Sequence, residues 1–129
     1  LCLLPSLAVA GTAHYVDCSA GSNGHGSYAS PWNNIPSVNS HSFSTRDNVY
    51  FKVNTTFNIT QDGDQLRIDC AGTSGDRVII GAYYGNGLFG LNGNNRPIID
   101  GDGTGGDYDG VGSYPSTDYK GLIEITNTD

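Results

Sequence analysis

Beyond its first ten residues, this chain contains only short β-type runs, about seven residues at most, each closed by Gly, Asn, Asp or Ser. The runs span 14–18, 48–53, 66–70, 77–83, 96–100 and 121–126. Glycine accepts positive φ and Asp bends or caps the backbone, so a chain with 19 glycines and twelve Asp against one Glu turns often. Helical periodicity is absent except for a turn or two around 32–39, where Ser30 and Pro31 open a helix and Pro36 limits it. The expectation is an all-β domain of many short strands.

Starts of the later runs fall near 48, 66, 77, 97 and 121, and most intervals approximate the twenty-odd residues of one turn of a β-solenoid. Several strand cores are continuously apolar (Val78-Ile79-Ile80, Ile98-Ile99, Leu122 to Ile125), which suits a parallel sheet. A short right-handed parallel β-helix with an N-terminal cap is therefore expected, with a β-sandwich as the alternative that spacing leaves open. At 129 residues the chain is one domain, read as a solenoid over 13–129 preceded by an apolar segment, 1–12.

Charge narrows the partners. A formal net charge of −7 and six scattered basic residues argue against nucleic acid and anionic membrane, which both need clustered Lys and Arg. Ala8-Val9-Ala10 before Gly11, following an apolar run, has the pattern of a signal-peptidase site, and nothing after it is long and apolar enough to span a membrane. Asn54 and Asn58 head glycosylation sequons, which together with that start point to a secreted glycoprotein. In an oxidising compartment Cys18 and Cys70 would form a disulfide closing a loop of about fifty residues, for roughly 3–4 kcal/mol. Two buried thiols are the alternative.

The stretch HYVDCSAGSNGHGSYASPWNNI, then DNVYFKV, GTSGDRVIIGAYYGNG and RPIIDG, resembles the opening of right-handed parallel β-helix proteins of the pectate-lyase-like superfamily, over roughly residues 13 to 126. The resemblance implies that this segment forms an N-terminal cap and first coils. It also implies that substrate and catalytic residues come from coils further along. Polysaccharide lyases of that superfamily use a Lys or Arg base beside Ca2+-bound uronate; Lys52, Arg67, Arg77 and Arg96 sit in no motif that maps onto the role, and no catalytic residue is assigned. A cap must cover the open end of the first coil, and Trp32, Ile35, Val38 and Phe43 are placed to form it.

Among candidate chemical sites, Asp100, Asp102, Asp107 and Asp109 lie in one Gly-rich loop and offer oxygen ligands to Ca2+. Asp-Gly pairs are also the ordinary material of tight turns. His14, His25 and His41 are spaced too irregularly for a recognisable metal set, and solvent exposure is expected of them. The tyrosines, with AYYGNGLFG at 82–90, offer either a sugar-stacking surface or stacking within a solenoid.

The reading that joins these features is an extracellular, non-catalytic structural subunit that binds copies of itself head to tail. Retained, Leu1, Leu3, Leu4, Leu7 and Val9 form a strand apolar on both sides, fit to enter a neighbour's open sheet edge and so to build a filament. The alternative is the N-terminal portion of a secreted polysaccharide lyase or a glycan-binding β-helix protein.

Overall fold

The computed structural model describes residues 10–59, 65–70, 72–73, 75–90, 95–100 and 123–127. Their regular structure is mostly strand: β1 (Ala13–Val16), β2 (Ser42–Phe43), β3 (Asn48–Lys52), β4 (Thr56–Asn58), β5 (Leu66–Cys70), β6 (Ile79–Tyr83), β7 (Ile98–Asp100) and β8 (Ile123–Asn127), with a five-residue helix, α1 (Ile35–Asn39), between β1 and β2. The all-β expectation holds. Among the described residues no helix is long and apolar enough to cross a membrane.

The strands form three small sheets, ordered β1-β3-β6, β2-β5-β8 and β4-β7, and every pairing between them is parallel. From β2 onward the chain visits the second, first and third sheets, and then repeats that order. A β-sandwich, built from antiparallel sheets, does not describe this pairing. The twenty-odd-residue repeat is also corrected. Strands that pair lie 35 residues apart in β1 and β3, 27 in β2 and β5, 31 in β3 and β6, 42 in β4 and β7, and 57 in β5 and β8, so only one spacing comes near the expected period. The regular intervals in the sequence measure steps between different sheets, whereas loops of unequal length set the distance between pairing partners.

Side chains alternate across each strand, so one row of each sheet enters the core. In β3, Val49 and Phe51 are buried while Asn48, Tyr50 and Lys52 face outward. Val16, Phe43, Phe57, Ile59, Leu66 and Ile68 join them, and all four residues expected to form the cap, Trp32, Ile35, Val38 and Phe43, belong to the same cluster. The apolar runs 78–80 and 98–99 are not buried on both faces: Ile79, Ile80 and Ile98 are exposed, whereas Val78 and Ile99 pack against the core; the side chains of Leu122 to Ile125 lie outside the described residues.

Local chemistry explains α1. Asn34, in an extended conformation, accepts hydrogen bonds from the Ser37 backbone N–H (2.9 Å) and the Ser37 hydroxyl (2.8 Å), as an N-cap does. Pro36 stands in the first turn, where its missing N–H removes no helical bond, so it helps start the helix that it was expected to limit. Ile35 and Val38, three residues apart, turn one face into the core.

The outer edge of β1 is covered by the chain that follows it. Tyr15 N–H donates to the Gly26 carbonyl, Trp32 N–H to Tyr15 and Asp17 N–H to Trp32, at 2.8–3.0 Å. This occupies the edge groups that an unpaired strand would present to another chain. Gly26 has φ +86°, and a Cβ there would lie 2.7 Å from the Trp32 indole, so the segment can cross the ring only at a glycine.

Candidate functional site

The outward row of the β1-β3-β6 sheet carries an aromatic array. Register places Tyr15 beside Tyr50, Tyr50 beside Gly81, and Lys52 beside Tyr83. A tight hairpin after β6 adds to it: Tyr84 N–H donates to the Leu88 carbonyl (2.7 Å), Gly90 N–H to Ala82 (2.9 Å), and Phe89 bridges back to Tyr83. Phe89 thereby comes within 4.5 Å of the Tyr50 ring centre. Gly81 makes room, since a Cβ at that position would meet the Tyr50 ring at 3.0 Å.

The long loop after β1 contributes Tyr28, whose ring meets Tyr15 edge-on at 5.3 Å and whose hydroxyl donates to the Gly85 carbonyl at 2.7 Å. Tyr83 lies beneath, 5.1 Å from Tyr15 and 6.0 Å from Tyr28. Tyr83 is buried, and that burial, with Asp17, Tyr28 and Tyr15 nearby, pushes its phenol far above the ordinary range. Tyr28, Leu88 and Phe89 remain about half exposed, at 46%, 62% and 55%.

A polar group lies near this face. The Lys52 ammonium donates to Asp17 Oδ2 (2.6 Å) and to the Ser19 hydroxyl (3.3 Å), and Ser19 donates to Asp17 Oδ1 through both N–H and O–H. Burial works to raise the Asp17 carboxyl, but the bonds from Lys52 and Ser19 outweigh it and hold the group below its usual range.

A second constellation lies between β1, the end of α1 and the turn before β3. His14 occupies an inward position of β1, beside Val49, and is buried. Its ring lies flat on Trp32 (centroids 5.2 Å, planes 3° apart), 4.3 Å from the His41 ring and edge-on to Phe43 at 5.4 Å. His41 stands between α1 and β2, and Asp47 in the turn before β3. Donor atoms of His14, His41 and Asp47 lie within 4.8 Å of one another. Asp47 accepts from Thr12 N–H and Ser44 N–H, both at 2.8 Å, whereas Nε2 of each histidine is buried without a hydrogen-bond partner. Burial, reinforced by His41 and opposed by Asp47, lowers the His14 pKa.

Sequence spacing missed both groupings. His14 and His41 were expected to be exposed and unrelated, yet packing of the segment after α1 against β1 brings them together, while His25 is exposed as expected. The segment 82–90 pointed to part of the aromatic face; Tyr15, Tyr28 and Tyr50 carried no local signal. Cys18 is a free thiol, directed at the Thr56 carbonyl at 3.2 Å across a groove of about 280 Å³ lined also by Asn33, Asn34, Phe57 and Asn58. The expected disulfide to Cys70 is therefore not formed. Cys18 points toward β4, whereas Cys70 ends β5 in the sheet containing β2, and its side chain lies outside the described residues.

Asn54 and Asn58 are both exposed, Asn54 with φ +58°. Of the aspartates considered for Ca2+, Asp100 ends β7, and its carbonyl accepts from Ile59 N–H at 2.7 Å. Asp102, Asp107 and Asp109 lie outside the described residues, as do Leu1, Leu3, Leu4, Leu7 and Val9. Compared with protein-family models and with curated proteins, the chain finds no match.

Proposed function

We propose that this chain is a secreted glycan-binding module, the capped first part of a parallel β-helix, and that it holds a neutral polysaccharide on the aromatic face of the β1-β3-β6 sheet. The observation that carries the reading is the packing of Tyr15, Tyr28, Tyr50 and Phe89 into one partly exposed surface. Contiguous exposed apolar surface on a soluble domain marks a binding site. Aromatic rings offer a flat apolar bed to the C–H faces of a sugar, and the tyrosine hydroxyls and the Asp17–Lys52 pair offer hydrogen bonds to its hydroxyls. The net charge of −7 disfavours an acidic chain. Parallel pairing throughout and the repeated sheet order support the β-helix.

Affinity electrophoresis in gels containing neutral polysaccharides tests this. The protein is retarded in at least one of them, and Tyr50→Ala or Phe89→Ala lowers affinity about tenfold, the loss of one stacking contact of 1–2 kcal/mol. Unretarded migration through every gel sinks the proposal.

Head-to-tail association with copies of the same chain is a second reading, favoured by one observation. Ile80 stands on the inward row beside Val49, yet is 40% exposed, and Ile79 on β6 and Ile98 on β7 are exposed as well. Sedimentation velocity across a hundredfold concentration range checks it: a constant monomer rejects assembly.

A further inference from the structure

We propose that His14, His41 and Asp47 form a site for one transition-metal ion of the Zn2+ class, bound through a ring nitrogen of each histidine and a carboxylate oxygen. The inference is independent of the glycan face. His14 is more than nine-tenths buried, and its Nε2 has no hydrogen-bond partner. A buried polar atom left unpaired costs about 1–3 kcal/mol, so a native fold supplies a partner to such a group. The His41 Nε2, also buried and unpartnered, is in the same cluster. Two imidazoles and one carboxylate suit zinc and its neighbours, whereas calcium and magnesium require oxygen ligands.

Two further features fit an ion. The backbone N–H groups of Thr12 and Ser44 each hold one Asp47 oxygen at 2.8 Å, which orients the carboxylate and leaves a lone pair on each oxygen. Ligands of a tetrahedral zinc are about 3.3 Å apart, so donors already within 4.8 Å need only a modest swing, which the half-buried His41 can make. A solvent water completes the fourth position. Because His14 is on β1, His41 after α1 and Asp47 before β3, the ion would clip the first strand to the cap.

The test uses the whole chain, stripped with EDTA and dialysed, with ZnCl2 and CuCl2 as probes. Calorimetry gives one Zn2+ per chain. A hundredfold excess of zinc over its Kd raises Tm by about 10 °C. His41→Ala weakens zinc binding by more than about tenfold, while His25→Ala leaves it unchanged. A second readout needs no variant: Trp32, the sole tryptophan, has its ring centre 5.2 Å from both His14 and His41, so stoichiometric Cu2+ quenches its fluorescence. The proposal is overturned by wild-type protein that takes up no zinc, by equal uptake in His41→Ala, or by Trp32 emission unmoved at one equivalent of Cu2+.

Discussion

The Lys52 ammonium lies 2.6 Å from the Asp17 carboxylate, joining β3 to the turn that follows β1. Asp17 is nearly buried and Lys52 partly so, so removing one partner leaves the other charge desolvated and unpaired, which costs more than losing a surface ion pair. Because the folded-state pKa of Asp17 is depressed, its stabilisation is present above the unfolded carboxylate value of about 3.9 and is lost as pH falls through the folded value. Asp17→Asn should lower unfolding free energy at pH 7 by about 1–3 kcal/mol, and the gap from wild type should be narrower at about pH 3 than at pH 7. Denaturant unfolding followed by Trp32 fluorescence at both pH values measures it; a gap that is constant with pH contradicts the assignment.

Gly26 is required by geometry. Its φ of +86° is strained for any L side chain, and its Cβ would overlap Trp32. Gly26→Ala should cost about 2–4 kcal/mol, whereas Gly21→Ala, with no atom within 4 Å of its Cβ, should change stability by less than about 1 kcal/mol. Equal Tm values for the two variants would contradict the packing of loop on indole.

The depth of the core is tested by two isoleucines. Ile68 is fully buried in β5 and Ile98 is 48% exposed in β7. Ile68→Ala should lose about 2–5 kcal/mol through transfer and cavity costs, and Ile98→Ala less than about 1 kcal/mol. Chemical denaturation with a shared m-value gives both numbers.

The aromatic face depends on a missing side chain. Gly81→Val places a Cβ about 3.0 Å from the Tyr50 ring, which must shift and so separates from Phe89. Retardation in the neutral-polysaccharide gel should fall about tenfold, with far-ultraviolet circular dichroism unchanged. Undiminished retardation would mean that Tyr50 lies outside the binding face.

Asn34 caps α1 with two bonds to Ser37. Asn34→Ala should cost about 1 kcal/mol, and Asn34→Asp should retain most of it. Thermal unfolding of the two variants separates the cap from a general effect of position.

Much of this fold is legible locally. Alternation in 48–52 places Val49 and Phe51 inside, and Trp32, Ile35, Val38 and Phe43 can be picked out as buried by apolarity alone. β2 and β4, of two and three residues, are too short for a period-2 signal and exist because a neighbouring strand pairs with them. Pro36 misled because its effect depends on position: harmful inside a helix, it is harmless in the first turn.

By itself, then, the sequence determined an all-β chain of short strands, one short helix and a set of apolar residues bound for the core, since turn chemistry and apolarity act within a few residues. Only the tertiary structure decided that strands 27 to 57 residues apart would pair, that Cys18 would face Thr56, and that His14 would meet His41 and Asp47. The aromatic face was decided the same way. Its rings come from β1, a long loop, β3 and a hairpin, and parallel register, a long-range property that leaves no local trace, is what brings them side by side.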